Sequence, residues 1–217
     1  MAQNILIIGA HSDDQIIGVG GTAAKYAEEG FQVTTVIVSQ GEGSHPHFRE
    51  NIIMDTREKE SIHANKVIGG KAVKFLRILE KDFNKEKELK KARRKLRNLI
   101  IRLKPVKIFV HSPEDHHPVH KKVNKMTLDI LNELNWNKEV YSFDIWNTFK
   151  WNKKHPRLIV DISSTFDKKM RALRAFKSQF TIQGFLNYLP LIAMYIKNVK
   201  NGRTHGSKYA EVFYRIR

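Results

Sequence analysis

The 217-residue sequence predicts an α/β fold: one domain built on a mostly parallel sheet covered by helices. Three observations point there. Short β-branched runs alternate with longer stretches of helical periodicity along most of the chain. The length suits one full hydrophobic core and is short for two. No linker, low-complexity tract or internal repeat marks a second unit, so residues 1–217 are read as a single domain.

Asn4 to Gly9 (NILIIG) is the first strand. A helix follows from about Gly20 to Glu29, closed by Gly30, and Phe31 to Ser39, rich in Val, Thr and Ile, is the second strand. After a loop from Gln40 to Met54, Thr56 to Ile68 reads as a helix with Thr56 as N-cap and Gly69-Gly70 as its stop. Ala72 to Leu76 is the third strand. Leu89, Leu96, Leu99, Ile100 and Leu103 then recur at helical spacing, Pro105 forces an exit, and Val106 to His111 is the fourth strand. Later elements are Glu139 to Phe143 and Leu158 to Val160 as strands, Ser164 to Ser178 as a helix, and Tyr209 to Ile216 as a closing strand. The apolar run Phe185 to Ile196, followed by Lys197, Lys200 and Arg203, is read as a buried C-terminal helix; peripheral contact with a membrane surface is the other reading.

Composition narrows the chemistry. With no cysteine, no disulfide or thiolate metal site exists, so any metal must be held by His, Asp or Glu. Lys and Arg outnumber Asp and Glu by 39 to 22, a formal charge of +17. Twelve basic residues against three acids fall between Lys81 and Lys107, on the outer face of the amphipathic helix, and a solvated face accounts for them. No nucleic-acid module signature accompanies the charge, so nucleic acid is not expected as a partner. The apolar start lacks the layout of a signal peptide and no stretch reaches the roughly 20 apolar residues of a membrane span, so the expected location is cytoplasmic.

Two segments concentrate functional side chains. Gly9-Ala10-His11-Ser12-Asp13-Asp14-Gln15 places an imidazole and adjacent carboxylates just after the first strand, as a metal site would or as an Asx-turn or N-cap would. The stretch from His111 to His120 holds four of the ten histidines at the end of the fourth strand. Neutral imidazole suits zinc, whose catalytic sites take three protein ligands. In parallel sheets the ligand crevice lies at the carboxyl ends of strands, where both segments are expected to emerge. A dinucleotide site is disfavoured, because Gly18-Val19-Gly20-Gly21 comes too long after the strand and behind acidic residues. No Gly-x-Ser-x-Gly elbow supports a serine nucleophile.

These residues resemble the LmbE-like, or PIG-L, family of zinc-dependent N-acetylglucosamine deacetylases. The resemblance rests on His11-Ser12-Asp13-Asp14-Gln15 with Gly20-Gly21, Ser39-Gln40-Gly41-Glu42, Arg57 to Glu60, His116-His117-Pro118-Val119-His120 and Tyr209 to Phe213, with Asp161-Ile162-Ser163, Lys169 and Ser178-Gln179 in the same order. It implies a Rossmann-like three-layer sandwich and a hydrolase that removes an acetyl group from the amide nitrogen of an N-acetylglucosamine-type sugar. By the same resemblance, His11, Asp14 and His120 hold one zinc per chain, Asp13 is the general base, His117 stabilises the oxyanion and Arg57 faces the substrate. An Arg57 ion pair with Glu60 is the competing reading for that arginine. The resemblance also implies a homo-oligomer, a trimer or hexamer. The chain departs from the family pattern at Ser12 (usually Pro), Gln15 (usually Glu) and Val119 (usually Asp), the last removing a carboxylate that orients His117 unless Asp115 replaces it. Loop 40–54, with His45, His47, Phe48 and Arg49, is the expected substrate rim. The alternative to catalysis is a basic protein that binds nucleic acid or anionic membrane around a structural metal site.

Overall fold

Strand β1 (Asn4–Gly9) lies at the middle of a seven-stranded sheet. The structure, a computed structural model, describes residues 2–42, 50–146, 156–179 and 188–217. His45, His47, Phe48 and Arg49 of the expected rim, and Phe185, lie outside the described residues. In chain order β1 is followed by α1 (Asp14–Glu28), β2 (Gln32–Ser39), α2 (Glu50–Val67), β3 (Ala72–Ile78), α3 (Glu86–Leu103), β4 (Lys107–His111) and α4 (Pro118–Glu133). Then come β5 (Glu139–Phe143), β6 (Arg157–Asp161), α5 (Phe166–Leu173), α6 (Tyr188–Thr204) and β7 (Ala210–Arg215). The strand order is β3-β2-β1-β4-β5-β7-β6, and β7 runs against both its neighbours while the other pairings are parallel.

The three layers follow from side-chain alternation along the buried strands. Ile5, Ile7 and Phe109 face α1, α2, α5 and α6, whereas Leu6, Ile8 and Val110 face α3 and α4. Helix α3 buries Ala92, Leu96 and Ile100 and turns Lys90, Lys91, Lys95 and Arg97 to solvent, which bears out the solvated basic face. Because β1 leads to β2 on one side while β4 lies on the other, the crossovers diverge between β1 and β4, and the crevice of a doubly wound sheet opens there.

Several boundaries differ from the sequence expectation. Helix α1 starts at Asp14 rather than Gly20, because its glycines sit inside it as contact points. A Cβ on Gly18 would stand 2.3 Å from Phe143, and one on Gly21 2.6 Å from Ile162 Cδ1. Helix α2 starts at Glu50, so Thr56 is in its interior and not its N-cap; no Gly or Pro interrupts residues 50–56. Strand β3 continues to Ile78, α5 ends at Leu173, and α4 is an element beyond the sequence expectation, its amphipathic run directly abutting the histidine cluster. Helix α6, expected as a buried C-terminal helix, buries one face through Met194 and Asn198, while Leu189, Ile192 and Ile196 are about half exposed on another stripe. Among the described residues no helix is long and apolar enough to cross a membrane.

One buried ion pair ties the last strand to the first helix. Lys169 Nζ, fully buried, donates to Glu211 Oε1 at 2.7 Å, to Ile17 O at 2.8 Å and to Asn198 Oδ1 at 3.0 Å. Glu211 in turn accepts from the backbone N–H groups of Gly21 (3.1 Å) and Thr22 (2.8 Å) in mid-helix. Burial lowers the Lys169 pKa even though Glu211 opposes the shift. This accounts for the Lys169 and Tyr209-Ala210-Glu211 signals as architecture. Glu211→Ala leaves an ammonium uncompensated in the core and is expected to cost about 3–5 kcal/mol in urea unfolding; a loss below about 1 kcal/mol would refute this role.

Candidate metal centre

The crevice between β1 and β4 brings the two histidine-bearing segments together. His11 and Asp14 come from the β1–α1 turn, His111 ends β4, and His117 and His120 begin α4. Parallel pairing of Ile8 with Val110 sets the two strand ends side by side. Local bonds shape the first turn: the Gln15 amide donates to Ser12 O at 2.8 Å and the Ser61 hydroxyl donates to the same oxygen at 2.9 Å. An ionised Glu at position 15 has no hydrogen to donate, so Gln15 acts here as a turn clamp.

Three donor atoms form a nearly equilateral triangle. His11 Nδ1 lies 3.3 Å from Asp14 Oδ2 and 3.3 Å from His120 Nε2, and His120 Nε2 lies 3.4 Å from Asp14 Oδ2. Tetrahedral zinc with ligand bonds of about 2.0–2.1 Å sets its donors about 3.3 Å apart, so these residues fit that ion in spacing and in chemistry. Two other groups are close enough to compete: Asp14, His111 and His120, and His11, His117 and His120. His111 Nε2 lies 3.1 Å from Asp14 Oδ2 but also accepts the Ala10 N–H at 2.9 Å, and its fully buried ring stacks on His120 with centroids 3.8 Å apart.

Each outer nitrogen of the triangle's histidines meets a carboxylate. Asp115 Oδ1 lies 3.1 Å from His120 Nδ1, and Glu80 Oε1 lies 3.1 Å from His11 Nε2. Burial alone would raise Asp14, but its close contacts with the His120, His111 and His11 imidazoles outweigh it and hold the carboxyl well below its usual range. Burial also works against a charged His11, yet the Asp14 charge and hydrogen bonds to Asp14 and Glu80 raise it to about 9. His111 is pushed down to about 4 by burial and by His120, which leaves it neutral.

Asp13 differs from its neighbour. As N-cap residue of α1 it makes no side-chain capping bond, whereas Asp14 Oδ2 accepts the His11 N–H at 2.7 Å. Asp13 thus makes no capping bond, and the Asp14 bond runs back to His11, so neither is the Asx-turn or N-cap of the local-turn reading. Burial raises the Asp13 pKa against the opposing charge of Arg57, whose Nη2 is 3.7 Å from Asp13 Oδ1. Arg57 is buried and its Nη1 donates to Gly41 O at 2.9 Å. The expected alternative pair with Glu60 is not formed, because Glu60 accepts from Ser178 N (2.8 Å) and Ser178 Oγ (2.6 Å). Gly41 has φ +63°, and a Cβ there would strike Arg57 Nη1 at 2.2 Å, so only glycine fits beside the guanidinium.

His117 is oriented by backbone and not by a neighbouring carboxylate. It is the N-cap residue of α4, its Nδ1 accepting the Val119 N–H at 3.3 Å, which leaves the hydrogen on Nε2. Asp115 Oδ1 accepts the His117 backbone N–H at 3.0 Å and faces His120, so it does not replace the missing acid at 119. Val119 is buried in the core beneath α4. Burial, then the charges of His11 and His120, lower the His117 pKa and keep it neutral. His11, Asp13, Asp14, Arg57, Glu80 and His117 line a cleft of about 250 Å³ that also takes in Trp146 and Pro190, the latter from α6. Sequence reasoning missed Glu80, which lies just beyond the carboxyl end of β3 once that strand runs to Ile78.

The family model described as PIG-L, GlcNAc-PI de-N-acetylase, matches residues 6–131, more than half the chain. The chain is 23% identical to a diacetylchitobiose deacetylase of Thermococcus kodakarensis, covering 96% of this chain and 81% of that protein. It is 24% identical to a probable N-acetyl-α-D-glucosaminyl L-malate deacetylase of Bacillus cereus, over 82% and 84% of the two chains. Among solved structures, the N,N'-diacetylchitobiose deacetylase of Pyrococcus horikoshii superposes with a TM-score of 0.80 at 21% identity, over 99% of this chain and 84% of that one. A Pseudomonas putida 4-carboxy-2-hydroxymuconate hydratase shares the fold as well, with a TM-score of 0.82 at 20% identity over 99% and 96%.

Proposed function

The chain belongs to the PIG-L family, and from that premise we propose that it is a zinc-dependent N-deacetylase acting on an N-acetylglucosamine-type sugar or sugar conjugate. The observation that carries this reading is the donor triangle of His11, Asp14 and His120 with the uncapped Asp13 carboxylate beside it. We assign the single zinc to that triangle: the His111 lone pair is engaged by Ala10, and His117 Nδ1 by Val119. Bound there, zinc supplies a water whose pKa falls to about 7 and a Lewis acid for the acetamide carbonyl.

The remaining chemistry belongs to the chain. Asp13 takes the proton of the attacking water and returns it to the departing amine; its raised pKa suits a group that must both accept and release it. Arg57, 3.7 Å away, favours the ionised base and, lining the cleft, hydrogen-bonds sugar hydroxyls or a phosphate. Neutral His117 donates Nε2–H to the carbonyl oxygen as charge develops on it. This role needs no acid at 119, since a backbone N–H already sets the tautomer.

Metal analysis followed by acetate release from a panel of N-acetylated sugars tests the reading. Zinc-loaded protein is expected to release acetate, chelator to abolish the release, and added zinc to restore it. 4-Carboxy-2-hydroxymuconate serves as the control, because fold likeness extends to its hydratase. Turnover of that compound with no acetate from any sugar would overturn the proposal. Zinc-containing protein without activity, together with steeply salt-dependent binding to nucleic acid or anionic vesicles, would favour a basic binding protein with a structural metal. Two partner assignments accompany the reading: the chains associate as trimers or hexamers, and the exposed row Leu189, Ile192 and Ile196, followed by Lys200 and Arg203, meets a membrane surface when the sugar is carried on lipid.

A further inference from the structure

The two carboxylates behind the triangle's histidines are held very differently. Asp115 is fully buried, and besides facing His120 it accepts backbone N–H groups from His117 (3.0 Å), Ile145 (2.9 Å) and Trp146 (3.3 Å). It is a structural pin for the β5 end as much as a partner of His120. Glu80 sits at the cleft mouth on a short turn after β3, its side chain 32% exposed, and Oε1 meets His11 Nε2 at 3.1 Å and the Ser39 hydroxyl at 3.5 Å. Among the described residues no backbone N–H bonds its carboxylate.

The segment Ser39 to Glu42 fastens that turn. Gln40 N–H donates to Ile78 O at 2.9 Å, Gly41 N–H to Ser39 Oγ at 3.0 Å, and Lys81 N–H to Glu42 Oε1 at 3.4 Å. The Ser-Gln-Gly-Glu motif thus aims Glu80 at His11. A carboxylate on the outer nitrogen fixes the tautomer and the ring plane of a metal-binding histidine. With Nε2–H given to Glu80, Nδ1 of His11 faces Asp14 and His120, the side on which a bound metal would displace its proton.

We propose that Glu80 is the positioning residue that holds His11 on the metal and sets how fast zinc leaves, the His11 arm being the releasable side of the site and the His120 arm the fixed side. This rests on the zinc reading above. The test uses full-length zinc-loaded protein, with release followed by transfer to a chromophoric chelator. Glu80→Gln and Glu80→Ala are expected to speed release and weaken affinity by roughly 10- to 100-fold, with Glu80→Asp between them and wild type. The melting temperature of the zinc-free variants is expected to match that of zinc-free wild type, whereas Asp115→Asn is expected to lower it. Release from Glu80→Ala within about twofold of wild type overturns the proposal, as does a fall in the zinc-free melting temperature with release unchanged. Either result leaves the zinc reading standing; a wild-type chain that binds no zinc overturns both.

Discussion

Asp13→Asn is expected to keep its zinc and to lose acetate release by roughly 10²- to 10⁴-fold, the range that general base catalysis contributes. The amide is isosteric with the carboxylate but has no basic oxygen, so it cannot take the water's proton. Nothing in the donor triangle changes, because Asp13 supplies none of its three atoms and makes no capping bond in α1. The variant also leaves the Arg57 guanidinium without its partner at 3.7 Å; its remaining bond to Gly41 O holds the side chain in place. Metal content by elemental analysis and acetate release at saturating zinc are the two measurements. A variant with an intact deacetylation rate would sink the mechanism.

His120→Ala is expected to lose both metal and activity. It removes the donor 3.3 Å from His11 Nδ1 and 3.4 Å from Asp14 Oδ2, so zinc affinity should fall by more than the roughly 10- to 100-fold that an outer partner costs. It also strips the buried Asp115 of the imidazole that, with backbone N–H groups, holds its pKa low against burial. A lower melting temperature accompanies the loss, and His120→Asn, which keeps a polar group beside Asp115, separates the two effects. Wild-type zinc affinity in both variants would move the metal away from this triangle.

Much of the site was legible in the residues. His11, Asp13 and Asp14 follow a strand that reads clearly as Ile-Leu-Ile-Ile, and the His111 to His120 segment follows another, so parallel pairing alone predicts that they share a crevice. The valine at 119 was legible as a missing carboxylate, but its consequence was not. Whether Asp115 or something else orients His117 depends on a backbone N–H two residues on, which has no sequence signature. Gln15 likewise reads as a lost charge and proves to be a clamp on Ser12 O. Arg57 reads equally well as a helix-surface partner of Glu60 until Ser178, 118 residues away, is seen to occupy that glutamate.

What the sequence by itself determined is the local layer of the molecule: strands as buried apolar runs, α3 as a basic amphipathic helix, and donor types that without cysteine leave only imidazole and carboxylate for a metal. Those follow from periodicity and side-chain chemistry within a few turns of chain. The tertiary structure alone decided which partners meet. The start of α1 at Asp14 rests on Phe143 and Ile162 accepting bare glycine surfaces, and Glu80 reaches His11 only because β3 lies two strands from β1 with its turn stitched to Ser39–Glu42. Such contacts depend on register and crossover, which sum weak preferences over the whole chain, and no short window of residues encodes them.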